Sequence, residues 1–298
     1  MHMTDEPDSR PAVELRLHGY PALHVGARPV TLTLKHGLAL LARLADTRGR
    51  LARSAAATLL WPDADGTLAR TRLRRLLHEL NRRCGVPLVG GDADTLWLEG
   101  DTVRLQCDWT QARRVACSAL RGEPVGAEQA APLLHRNAHR VLDGFALASD
   151  AFDDWLDDTR REHAALVARA LQRLALRWLD DGDPAAAATA AERVIQLDPC
   201  TEPAHASLIA ARAALGDAAG VESAYIECAD TLRRELGIRP STALERAYAD
   251  AVARAAAPAA HTCSALLARV MSPHGCEPTR HASVPAAMPH RMPLPTLP

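Results

Sequence analysis

The stretch TLARTRLRRLLHELNRR, residues 67–83, decides how the rest of the chain is read. At roughly 100° per residue, Ala69, Leu73, Leu76, Leu77 and Leu80 fall on one stripe, while Thr71, Arg74, Arg75, His78 and Arg82 gather opposite. Such a helix can pack against a core and still present guanidinium groups outward. Arginine forks match phosphate oxygens and the O6/N7 edge of guanine, so the pattern suits the DNA major groove. In isolation a merely solvated cationic face reads the same way, and the surrounding sequence has to separate the two.

The net charge of −1 over 298 residues conceals an asymmetry. Residues 13–108 carry fourteen Arg/Lys against ten Asp/Glu, and residues 109–255 carry seventeen against twenty-two. Within the basic part, 67–83 holds six arginines and a single acid, Glu79, so positive charge is concentrated where a groove helix would lie. Lys35 is the only lysine, which reads as a compositional bias. The length allows two domains with cores of their own. No apolar run is long enough to span a bilayer and the start, MHMTDEPDSRP, is polar, so the expectation is a cytoplasmic protein without membrane contact. Seven cysteines without a CxxC pair fit reduced thiols better than a disulfide frame or a zinc knuckle.

Short alternating segments come first, Glu14 to His18, Ala22 to Val25 and Pro29 to Leu32, and they read as a small antiparallel sheet. A helix follows from about Lys35 to Ala45, with Leu38, Leu41 and Leu44 on one side. Ser54 is expected to cap a second helix that Pro62 terminates, and the arginine-faced helix ends at Gly85. Leu88-Val89, Leu96-Trp97-Leu98 and Val103-Arg104-Leu105, separated by glycine turns, then read as a hairpin. Sheet, three helices and hairpin is the order of a winged helix. Beyond it, Gly182-Asp183 recurs as Gly216-Asp217, a spacing of 34 residues, which is the tetratricopeptide period. Before the repeat, Ser149-Asp150 can cap a long helix from Ala151 to Leu179, with Phe152, Trp155, Leu156, Leu166, Leu171, Leu174 and Trp178 as apolar bulk. The expected fold is therefore an α+β winged helix-turn-helix over 13–108, followed by an all-α tetratricopeptide-like domain over 109–255. Residues 1–12 and 256–298 read as disordered ends.

Catalytic signatures are missing: there is no GxxxxGK[ST] loop, GxSxG elbow or HExxH, so the expectation is a protein without enzymatic activity, cofactor or metal. His261, Cys263, His274, Cys276, His281 and His290 are too irregularly spaced to read as a ligand set. Asp153-Asp154 and Asp157-Asp158 open the long helix, where negative charge opposes the macrodipole favourably. Trp61 and Trp97 lie in apolar-periodic settings and read as core. Arg48, Arg50 and Arg53 could clamp phosphates, and strand alternation could aim Arg104 off the wing toward a minor groove.

Leu59-Leu60-Trp61-Pro62-Asp63-Ala64-Asp65 followed by Ala69-Arg70-Thr71-Arg72-Leu73-Arg74-Arg75-Leu76-Leu77 is similar to the "LLWPDA" and "ARxxLRRxL" landmarks of the antibiotic-regulatory-protein type of bacterial transcriptional activator. Phe152-Asp153-Asp154-Trp155-Leu156, Gly182-Asp183-Pro184, Leu197-Asp198-Pro199, Glu202-Pro203-Ala204-His205 and Glu235-Leu236-Gly237-Ile238-Arg239-Pro240 resemble landmarks of that family's helical activation domain. The resemblance, from about Val13 to Ala255, implies an OmpR-like winged helix joined to a bacterial transcriptional activation domain. It also implies binding to double-stranded DNA at direct repeats near a promoter, and contact with RNA polymerase. Thr71-Arg72 departs from the pair of asparagines in many members. On this reading Thr71, Arg74, Arg75 and His78 read bases. Arg70, Arg72, Arg82 and Arg53 hold phosphates, and Arg104 belongs to the wing. The helical part pairs two protomers on DNA. The alternatives are a tetratricopeptide-type adaptor whose winged helix binds no DNA, and a ligand-gated repressor.

Overall fold

A computed structural model of the chain describes residues 10–31 and 35–256. The tail histidines and cysteines, Leu32 and residues 1–9 lie outside the described residues. The first sheet has the order β3, β2, β1, β7, built from β1 (Ala12–Arg16), β2 (Ala22–Val25), β3 (Arg28–Pro29) and β7 (Arg104–Cys107). Val13 and Leu15 alternate into the core, with Leu15 opposite Leu23 on the antiparallel side and Cys107 on the parallel side. The second sheet has the order β4, β6, β5, from β4 (Arg50–Ala52), β5 (Val89–Gly91) and β6 (Thr95–Leu98). The hairpin is thus β5–β6 alone. The third segment expected of it, Val103-Arg104-Leu105, instead runs into β7 and pairs with β1, some ninety residues earlier in the chain.

Between the sheets lie α1 (Lys35–Asp46), α2 (Arg53–Leu60) and α3 (Gly66–Cys84). Ser54 is not a cap: α2 begins one residue earlier, after Ala52, with no side-chain cap, and the Arg53 N–H bonds the Asp94 carbonyl at 2.7 Å. A tertiary partner does what a capping hydroxyl would have done. The helical part comprises α4 (Asp108–Leu120), α5 (Ala131–Leu134), α6 (Asp150–Asp180), α7 (Pro184–Leu197), α8 (Glu202–Ala214), α9 (Ala218–Leu236) and α10 (Thr242–Ala256). The Ser149 side chain caps α6 as expected, accepting from Phe152 N. The 34-residue repeat has a local cause: Gly182 and Gly216 adopt left-handed φ of 81° and 75°, and Asp183 and Asp217 cap α7 and α9.

Two hydrophobic clusters form, and the first is not confined to the winged helix. Leu15, Leu40, Leu44, Leu60, Leu73 and Leu80 share it with Trp109, Val141, Leu142, Phe145, Leu147, Phe152 and Leu156. The second joins α4, α6, α7, α8 and α9 through Ala116, Leu171, Trp178, Ala191, Leu208 and Leu232. Helix α6 therefore feeds both. Polar ties cross the same junction. The Asp108 carboxylate accepts from Leu17 N at 2.7 Å and His18 N at 3.0 Å. Asp46, ending α1, accepts from Arg43, from Arg113 at 2.8 Å and from the Trp155 indole N–H at 3.1 Å. Ser149 Oγ donates to the Leu59 carbonyl at 2.7 Å.

His18 and His163 stack across the junction with centroids 5.4 Å apart, and the His163 Nε2 faces the Ala138 carbonyl at 2.8 Å. Burial, and then the neighbouring His18, push the His163 pKa down to about 4, and burial also lowers His18. Both rings are accordingly neutral at pH 7.

Two outcomes follow from this packing. A fragment ending at Asp108 loses seven buried side chains of its own core, on the order of 10 kcal/mol at roughly 1.5 kcal/mol or more each, which matches the whole stability of a typical domain. Such a fragment is expected to lack a cooperative thermal transition by circular dichroism, whereas residues 10–256 retain one. The neutral His163 contributes stability that is complete above pH 6.5 and drains as pH falls toward 4. At about 1.4 kcal/mol per pH unit the full loss is roughly 3 kcal/mol. Urea unfolding at a series of pH values should show this acid limb in the parent and a flatter one in His163→Gln.

Candidate nucleic-acid interface

Helix α3 is set at both ends by its own sequence. The Asp65 carboxylate accepts from Thr67 N at 2.9 Å and Leu68 N at 2.8 Å, and Gly85 closes the helix with a left-handed φ of 71°. Ala69, Leu73, Leu76 and Leu80 are buried as the periodicity requires, while Leu77 is only half-buried at the edge of the stripe. Arg70, Arg72, Arg74, Arg75, His78 and Arg82 are exposed. Thr71 is half-buried and its hydroxyl donates back to the Thr67 carbonyl at 3.0 Å.

Two grooves run along this helix. One, of about 690 Å³, lies between α3 and the hairpin turn and is bordered by Arg53, Arg70, Arg74 and Asp92 to Asp94. The other, of about 660 Å³, is bordered by Arg72, Arg75, His78, Trp61 and His36. Arg74 borders both. Among the described residues Arg70, Arg72, Arg74 and Arg75 take part in none of the ion pairs, so their charges are not neutralised locally. Arg82 and Arg83 differ, because both bond the one acid of the helix, Glu79, at 2.7 and 2.5 Å. The Arg83 and Arg82 guanidinium groups hold the Glu79 carboxyl below its ordinary range. The arginines without an ion pair thereby lie in the first two-thirds of α3, while Arg82 and Arg83 share one carboxylate near its end.

The hairpin is held to the helices by Asn81, which the sequence did not single out, and by Arg53, which it did. Asn81 on α3 donates to the Val89 carbonyl at 2.8 Å and accepts from Val89 N at 3.0 Å, a two-bond clamp on β5. Arg53 Nε donates to the Asp92 carbonyl at 2.6 Å, and the Asp92 carboxylate accepts from Asp94 N and Thr95 N, which closes the turn and lowers its pKa. Arg53 is thus tied to the hairpin tip while still bordering the groove. Arg104 stands elsewhere: it lies exposed on β7 opposite Ala12, in the other sheet, and not on the hairpin. Arg50 is exposed on β4 opposite Trp97, and Arg48 sits in the preceding turn with a positive φ of 55°. Trp61 and Trp97 are half-buried rather than fully core, Trp61 stacking on His36 and Trp97 donating to Glu99 at 2.9 Å. No signal short of the tertiary contact marks Asn81, since an asparagine near a helix end reads first as a cap. Among the described residues no group of three or more His, Cys, Asp or Glu side chains is placed to hold a metal ion, and no helix is long and apolar enough to cross a membrane.

Residues 107–251 match the family model of the bacterial transcriptional activator domain. A solved structure, Mycobacterium tuberculosis EmbR in complex with a low affinity phosphopeptide, has a similar fold. It shows a TM-score of 0.51 and 20% identity, covering 87% of this chain and 72% of that one. Among curated proteins none matches the chain. These likenesses bear out the resemblance to transcriptional activators of the antibiotic-regulatory-protein type and the winged-helix-plus-helical architecture.

The Asn81 clamp is open to a direct check. Asn81→Ala removes both bonds and leaves the Val89 N–H and carbonyl without partners, a loss of about 2 kcal/mol in urea unfolding. Asn81→Asp retains only an acceptor and should recover no more than part of that.

Proposed function

We propose, from the match of residues 107–251 to the bacterial transcriptional activator domain, that the chain is a sequence-specific DNA-binding regulator that activates transcription through contact with RNA polymerase. The carrying observation is the placement of charge on α3: four arginines without ion pairs in its N-terminal two-thirds, and the paired ones toward its end. Recognition helices of this class contact base edges chiefly through their N-terminal residues, so the free charge lies where readout occurs. Arg74, Arg75, His78 and Thr71 read bases. Arg70, Arg72, Arg53 and Arg82 hold phosphates, Arg82 by exchanging an exposed ion pair of small net value for a phosphate. The hairpin, pinned by Asn81 and Arg53, follows the backbone beside the groove.

A module of this size covers too little DNA for specificity across a genome, so a second copy on a neighbouring direct repeat supplies the remainder. The helical part is the surface large enough to join two protomers or to meet polymerase. No residue assembly described above calls for catalysis, and the reading is non-enzymatic.

Selection of bound fragments from the source genome supplies the cognate duplex for the test. Replacing Arg74 or Arg75 with alanine should reduce discrimination between cognate and scrambled duplex by roughly 1–3 kcal/mol, with the circular dichroism spectrum unchanged. Arg70→Ala and Arg72→Ala should instead weaken both duplexes alike and reduce the slope of log affinity against log salt by about 1 each. Equal discrimination in the Arg74 and Arg75 variants would take α3 out of the reading role.

A further inference from the structure

The groove on the α1 side of α3 has a composition that phosphate contact alone does not account for. Its walls include the Trp61 indole and Leu76, and the His36 ring lies on Trp61 with centroids 5.1 Å apart and planes 13° from parallel. Half-burial of both rings leaves an aromatic wall on the surface beside a basic helix. The volume, about 660 Å³, falls within the roughly 300–1,000 Å³ of small-molecule sites, and a mostly apolar lining with a few convergent polar groups is the usual make-up of such sites.

The charged groups are mainly of one sign. Arg72, Arg74 and Arg75 border the groove without an ion pair among the described residues, and the one acid on its wall, Glu79, is taken up by Arg82 and Arg83. Burial lowers the His36 pKa, so at pH 7 that ring is a neutral stacking partner and adds no charge to the three arginines. An aromatic wall calls for a flat apolar ring, and the unpaired guanidinium forks of Arg72 and Arg75, which border this groove and not the one beside the hairpin turn, call for a carboxylate, which arginine holds bidentately.

We propose that this groove binds a planar aromatic carboxylate, its ring against Trp61 and its carboxylate on Arg72 and Arg75, and that the bound acid displaces DNA. The displacement rests on the DNA-binding reading of α3, because the same two arginines serve both ligands. The acid is an effector that releases the regulator from its site, and no covalent step is involved.

The full-length protein is titrated with 1-naphthoate, with 1-naphthylmethanol as the neutral isostere and inorganic phosphate as the anion without a ring. Saturable quenching of tryptophan fluorescence by 1-naphthoate is expected, at least tenfold weaker for the alcohol and undetectable for phosphate. Trp61→Leu and Arg72→Ala should each weaken it at least tenfold. The second substitution is at an exposed position and does not threaten the fold. In parallel, saturating 1-naphthoate should weaken duplex binding at least tenfold at fixed salt. Absence of saturable quenching, equal affinity in both variants, or duplex affinity indifferent to saturating 1-naphthoate would each overturn the proposal. Failure to bind duplex at any salt would sink the DNA reading and with it the displacement, while the fluorescence titration would still decide the groove.

Discussion

The winged helix of this chain does not close its own core. Leu40, Leu44, Leu60 and Leu73 pack in one cluster with Phe145, Phe152 and Leu156 from the helical part, and Trp109 stands fully buried where the two parts join. Apolar surface left open to water at these positions would cost about as much as the net stability of a typical domain, so the two parts fold together or the first does not fold. Everything that gives α3 its place, from its buried stripe to the helices it leans on, depends on that shared burial. The helical part is in this sense a structural subunit of the winged helix as well as its neighbour in the chain.

Burial alone is not directional, and the orientation comes from two carboxylates. Asp46 gathers donors from α1, α4 and α6, and Asp108 gathers two backbone N–H groups from the end of β1. Hydrogen bonds to charged groups contribute about 1.5–3 kcal/mol each when partly buried, less than the shared core but with strict geometry. The guanidinium of Arg113 also lies 5.5 Å from the Trp109 ring centre, and that of Arg43 lies 5.3 Å from Trp155. The aromatic side chains that fill the seam are therefore clasped by the same residues that orient it.

What was legible in the sequence is what local physics determines. The stripe of α3, its stop at Gly85, the α6 cap at Ser149 and the 34-residue repeat all follow from spacing or from a backbone requirement within a few residues. The misreadings share one cause, a partner far away in the chain. Val103-Arg104-Leu105 alternates as any strand does, and nothing nearby reveals that β1 rather than the hairpin receives it, so Arg104 was expected on the wing. Ser54 is a good capping residue in a helix whose first N–H is already satisfied by Asp94. Asn81, Asp46 and the His18–His163 stack left no trace in the sequence, because each is defined by what it touches across roughly ten to a hundred and fifty positions.

Helix α6 runs unbroken for 31 residues, with its first turns in one core and its last turns in the other. At 1.5 Å per residue it is about 46 Å long, longer than the ~34 Å turn of B-DNA that separates adjacent half-sites. A rod anchored in this way is a lever with its fulcrum at the junction: a tilt of roughly 10° at Phe152 carries the far end about 7 Å. Small rearrangements in the first core are thus written large at the distal helices, and a partner gripping those helices would have the same mechanical advantage in reverse.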